Sequence, residues 1–125
     1  MTVAVPNGTI LRLAVADTPA RREKGLMGVQ NVPLGEGMIF VFPDQRNVMR
    51  AFWMKGTTIP LDMVFVSNDG IVTEIAERVA ATKPGTADSR VARRQAIGRF
   101  VIELRADGAE GLASSPTPEI HVRVA

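Results

Sequence analysis

The sequence predicts a mostly β protein: a single compact antiparallel β barrel or sandwich of about seven strands, with one short helix near Pro19–Lys24. Three observations carry that expectation. Apolar residues fall into short runs, several of them alternating with polar residues, separated by Gly, Pro, Asn and Asp. One segment near the N-terminus combines a capping residue, an early proline and a trailing glycine, the start and stop signals of a helix. Strands and helical segments do not alternate regularly, as a parallel doubly wound sheet requires. At 125 residues the chain is the length of one folding unit, so residues 1–125 are read as a single domain.

In chain order, Thr2–Val5 and Thr9–Val15 flank Pro6-Asn7-Gly8, and Leu11, Leu13 and Val15 alternate with Arg12 and Ala14, which predicts a hairpin. Asp17-Thr18-Pro19 then opens a helix of about two turns that stops at Gly25. Arg21, Arg22 and Lys24 near its C-terminal end suit the helix dipole. A Gly/Pro-containing loop leads to Met38-Ile39-Phe40-Val41-Phe42, whose unbroken apolar character predicts a central strand covered on both faces. Val48–Met54 and Leu61–Val66 follow as strands, the latter joined to Ile71–Val79 through Ser67-Asn68-Asp69-Gly70, a strong hairpin signal. Strict alternation along Ile71–Val79 would put Ile71, Thr73, Ile75, Glu77 and Val79 on one face. Residues 81–97 lack apolar periodicity and contain Lys83-Pro84-Gly85, so they are read as a long mobile loop. Strands at Phe100–Leu104 and Ile120–Val124 close the list, with a helical turn between them ahead of Ser114–Pro118, which cannot be helical. The core is expected to contain Met38, Phe40, Phe42, Met63, Phe65, Phe100 and Ile102.

Composition excludes several kinds of chemistry. With no cysteine the chain has no disulfide, thiolate zinc site or cysteine nucleophile, and one histidine cannot build a three-histidine zinc site. No metal and no cofactor are implied. No run approaches the roughly 20 apolar residues of a membrane-spanning helix, and Met1–Pro6 lacks the regions of a signal peptide. A net charge of +2 does not argue for nucleic acid. The positive charge concentrates in Lys83–Arg99, where Lys83, Arg90, Arg93, Arg94 and Arg99 oppose Asp88 alone, without the interleaved aromatics that stack bases. Phosphate-binding, nucleophile-elbow and dinucleotide motifs are absent. His121 reads as an exposed or edge residue, and Met27, Met38, Met49, Met54 and Met63 read as packing residues rather than a soft-metal site.

The densest constellation is Phe52-Trp53-Met54-Lys55-Gly56-Thr57-Thr58-Ile59-Pro60-Leu61-Asp62, which holds the only tryptophan. Strand alternation places Trp53 and Lys55 on one side, so an aromatic ring and an ammonium can line one cleft. Asp62 is expected to accept hydrogen bonds from the Gly56–Thr58 turn or to pair with Lys55. In the plain structural reading Trp53 is core, Lys55 reaches outward and Asp62 secures the turn.

These blocks, together with Asp17-Thr18-Pro19, Arg22, Gly25-Leu26-Met27-Gly28, Gly37-Met38-Ile39-Phe40, Phe42-Pro43, Asp69-Gly70 and Phe100-Val101-Ile102-Glu103-Leu104, resemble the domain of unknown function 192 family over roughly residues 10–110. The resemblance implies a compact β-rich domain without an established activity, often preceded by an export signal, hence an extracytoplasmic location. It points to Arg22, Met27, Trp53, Lys55, Thr57 and Asp62 as ligand-binding candidates. Gly56 stands where members usually carry asparagine. Three functional readings follow: a small binding or accessory domain with a polar and aromatic cleft for a small polar or anionic molecule; an enzyme using Lys55 and Asp62 as an acid–base pair; or a protein-interaction module using the basic segment 83–99.

Overall fold

A computed structural model describes residues 1–5, 8–113 and 121–123. Strands β1 (Thr2–Ala4) and β2 (Ile10–Ala16) form the expected antiparallel hairpin, with Val3 opposite Leu11. Helix α1 (Pro19–Lys24) begins where the Thr18 hydroxyl accepts the Arg21 N–H at 3.2 Å, with Pro19 in the first turn, and ends at Gly25, whose φ of 49° lies in the left-handed region. Strand β3 (Glu36–Val41) then lies parallel to β2, so α1 serves as the crossover a parallel pair requires.

The remaining strands are β4 (Val48–Trp53), β5 (Leu61–Val66), β6 (Val72–Val79), β7 (Arg93–Gly98), β8 (Phe100–Arg105) and β9 (His121–Arg123), with a short helix α2 (Glu110–Ala113). Among the described residues the main sheet has seven strands in the order β6-β5-β8-β3-β2-β1-β9, and β4 with β7 makes a separate two-stranded ribbon. The main sheet stays open at β6 and β9, and the ribbon packs Phe52 and Ala96 onto one of its faces, which is the sandwich alternative.

Both faces of the central strands are covered, which explains the unbroken apolar runs. On one face lie Val3, Leu13, Ile39, Val64, Ile102 and Leu112; on the other lie Ala16, Phe40, Met54, Met63, Phe65 and Val101. Each of these side chains larger than Ala16 contributes about 1.5–3 kcal/mol on burial. Of the expected core, Phe40, Met63, Phe65, Phe100 and Ile102 are buried, while Met38 and Phe42 are half-buried at the edge of the second cluster. Strand β3 can approach β8 closely because position 37 is glycine: a Cβ there would run into the Glu103 carbonyl oxygen.

Two expectations are corrected. Residues 81–97 are not one long loop, because β7 pairs with β4 along its whole length from Val48–Gly98 to Trp53–Arg93. The strand escapes a periodicity reading because Arg93, Arg94 and Gln95 are exposed, and only Ala96 turns a small apolar group inward. The Thr73 hydroxyl of β6 donates to the Ile97 carbonyl and holds this strand to the main sheet. Strict alternation also fails in β6. Its pairing with β5 shifts register between Leu61 and Met63 and again between Phe65 and Val66, so Val72 and Ile75 meet the first core and Ala76 and Val79 the second. The Pro6-Asn7 turn, the Ser114–Pro118 stretch, Ile120, Val124 and the side chain of His121 fall outside the described residues.

Candidate functional site

The site is built where β4 ends. Along β4 the side chains alternate, with Arg50 and Phe52 turned inward and Met49, Ala51 and Trp53 outward. Phe52 makes edge contacts with Phe40, Phe42 and Phe65 at centroid distances of 4.8, 6.3 and 6.3 Å. That cluster fixes the strand end. Trp53 is therefore presented at the surface, 41% exposed, which corrects the reading of it as core. The Lys55 ammonium lies 5.1 Å from its ring centroid and the Arg93 guanidinium 5.0 Å. Trp53 and Lys55 thus share a side as the alternation predicts, and Lys55 also approaches Asp88 at 3.3 Å.

Beside this ring lies a cleft of about 290 Å³ between α1, the Gly25–Gly28 loop and the end of β4. It brings together five of the six residues singled out from the sequence: Arg22, Met27, Trp53, Lys55 and Thr57. Arg22 is positioned by donating to the Val41 carbonyl at 3.0 Å while its guanidinium lies 5.2 Å from the Phe42 ring centroid. Met27 packs on Gly56, close enough that a Cβ at position 56 would come within 2.8 Å of its terminal methyl group. The Gly28 N–H donates to the Gly56 carbonyl at 3.0 Å, stitching the two loops together. Gly56 has a φ of 69°, a conformation that glycine and asparagine both adopt, so the departure from asparagine preserves the turn. Thr57 is buried; its N–H donates to the Met54 carbonyl and its own carbonyl accepts from Thr82.

The sixth candidate is elsewhere. Asp62 is fully buried, but its side chain projects to the opposite face of the sheet, level with Leu104. Its carboxylate accepts the backbone N–H groups of Arg78 at 2.8 Å and Ala109 at 3.0 Å. The expected bonds from the Gly56–Thr58 turn or from Lys55 are therefore replaced by these two. The reason is the parity of the strand: Leu61 and Met63 face the cleft side, so Asp62 between them cannot. A Lys55–Asp62 acid–base pair is removed with it.

A different buried acid faces the cleft, Glu103. It lines the cleft from central strand β8, is 4% exposed, and stands opposite Met38 of β3 and Met63 of β5. Burial pushes its carboxyl up to about 8, so at neutral pH it is mostly a neutral acid. The signal for it was a lone glutamate inside Phe100–Leu104, a strand apolar on both faces. A second cavity of about 510 Å³ lies between the starts of β2 and β3 and helix α2, but its charged residues Arg12, Glu36, Asp107 and Glu110 are all exposed.

A model of the DUF192 family, described as an uncharacterized ACR, matches residues 2–121. The chain belongs to this family. No match is found among curated proteins. Two solved structures share the fold. A protein of unknown function from Novosphingobium aromaticivorans DSM 12444 is 31% identical, with 97% of this chain and 82% of that one covered and a TM-score of 0.76. A protein from Sinorhizobium meliloti 1021, described as a candidate transcription regulator, is 30% identical over 96% and 89% of the two chains, with a TM-score of 0.74. Among the described residues, no helix of this DUF192 protein is long and apolar enough to cross a membrane.

Proposed function

We propose that this DUF192 domain binds a small anionic molecule in the cleft between α1 and the end of β4. The observation that carries this reading is the mixture of groups around one concave site: Arg22, Lys24 and Lys55 supply positive charge, against a single acidic group at the rim, Glu23, while Trp53 and Phe42 supply flat apolar surface. Convergent charge over an apolar wall fixes a ligand's orientation as well as its presence. At about 290 Å³ the cleft is at the small end for ligand sites, which suits a metabolite and not a polymer.

Trp53 is the only tryptophan and the chain has no tyrosine, so its emission reports on the site alone. Titration with small carboxylates and inorganic phosphate is expected to shift or quench that emission, and Lys55→Ala to weaken the response by roughly tenfold, as the loss of one charged contact predicts. A protein that stays folded and gives no response to any of these, or responds to duplex DNA alone, overturns the reading.

A further inference from the structure

Glu103 is unusual for a residue on the central strand of a sheet. Its neighbours in register are Met38 and Met63, and the face it shares holds Phe40, Val101 and Phe65. Its carboxyl has no hydrogen-bond or ion-pair partner among the described residues, although no fully buried side-chain oxygen or nitrogen there is orphaned. Both statements hold together because the little surface Glu103 keeps opens into the cleft. A carboxyl at this depth without a partner costs stability that an apolar residue would not, and groups of this kind concentrate where a ligand supplies the missing partner.

Resting on the cleft reading above, we infer that Glu103 is the floor of the binding site and that its carboxyl O–H donates a hydrogen bond to an oxygen of a small carboxylate whose flat apolar body lies between Trp53 and Phe42. The choice of donor over acceptor follows from its surroundings. An ionised carboxylate awaiting a cationic ligand would need hydrogen bonds to hold its charge, and β3, β5 and β8 offer it none. On this face β3 brings Met38 and Phe40 beside it, and β5 brings Leu61, Met63 and Phe65, none of them titratable. Charged groups reach the cleft only from α1, as Arg22, Glu23 and Lys24, and from the turn after β4, as Lys55. Its carboxyl, pushed up to about 8, keeps the proton at neutral pH. A neutral carboxylic acid held as a donor to an oxyanion is an established device of apolar sites. The ligand's carboxylate then meets a donor below and cations at the rim, while an amide or an amine loses one or both.

Benzoate is a direct probe, being flat, apolar and ionised throughout the range needed. Its affinity for the wild-type protein, read from Trp53 emission and by calorimetry, is expected to fall about tenfold between about pH 6.5 and about pH 9, as Glu103 loses its proton. Glu103→Gln retains a neutral donor and should bind equally at both values. Glu103→Met, matched to its neighbours in shape, should bind at least tenfold more weakly than Glu103→Gln at the lower pH. Wild-type affinity that does not change with pH, or equal binding by the Gln and Met variants, overturns the role of Glu103. If binding is nevertheless lost in Lys55→Ala, the cleft reading survives that failure; if benzoate and the other anions leave the folded wild-type protein unmoved, the cleft reading and the role of Glu103 fall together.

Discussion

Asp62 and Arg78 are joined where β5 and β6 fall out of step. Leu61 pairs with Val79 and Met63 with Ala76, so two residues of β6, Glu77 and Arg78, stand against Asp62 alone. The bulge puts Arg78 at a φ of 48° and leaves its N–H without a ladder partner, and the Asp62 carboxylate accepts it at 2.8 Å. The second oxygen takes the Ala109 N–H and so ties the turn before α2 to the same point. Asp62→Ala is therefore expected to cost about 3 kcal/mol, the loss of two bonds to a charged acceptor in the interior. Denaturant unfolding measures it, and a cost under about 1 kcal/mol would show the bulge holding itself. Because Asp62 faces away from the cleft, anion binding by the folded variant should be unchanged.

Phe40 anchors the core beneath the cleft, 2% exposed and edge-on to Phe52 at 4.8 Å. Phe40→Ala should destabilise by about 3–5 kcal/mol, a large part of a domain's stability. A change below about 1 kcal/mol in the unfolding free energy would remove it from the load it is assigned.

What was legible in the chain follows from what period-2 patterns can encode. The hairpins at Asp69-Gly70 and after β1, the capped helix α1 and the central strand β3 all announce themselves through local chemistry, and each stands where its residues place it. Strand β7 does not, because a ribbon exposed on one side and shallow on the other needs no apolar stripe. The bulges in β6 are invisible for a related reason: they are set by pairing with β5, which is long-range information. At the site, the shared side of Trp53 and Lys55 was readable from alternation carried just past the end of β4, whereas Asp62 was misplaced by carrying a turn's logic across into β5. Glu103 lies about fifty residues further on and joins the cleft only through the β5–β8–β3 order.

Lys55 is shared between Trp53 and Asp88, and its ion pair with Asp88 is about half exposed on both sides. Such a pair contributes little to folding, so Asp88→Asn should change stability by less than about 0.5 kcal/mol. It also releases Lys55 from a competitor for any incoming anion. Small-anion affinity, followed by Trp53 emission, is expected to rise severalfold at low salt, and an unchanged or weaker affinity would take Lys55 out of the site.

The pH dependence of stability isolates Glu103 from every other group. Its carboxyl is raised from 4.5 to about 8 by burial, so between those values the folded chain holds a proton that the unfolded chain has released. Stability from this group is fully present below 4.5, declines as pH rises, and has been lost once pH passes about 8. The slope across that window is about 1.4 kcal/mol for each pH unit at its steepest. In Glu103→Gln the slope from this group vanishes, since the amide neither gains nor loses a proton. The difference between the two proteins in urea unfolding cancels all other titrations, so it should grow in favour of the glutamine variant from about pH 5 to about pH 8 and then level off, reaching the order of a few kcal/mol. A difference that is flat over the same range would mean that Glu103 ionises like an exposed carboxylate, and a difference of opposite sign would mean that its ionised form is held by a partner within the fold.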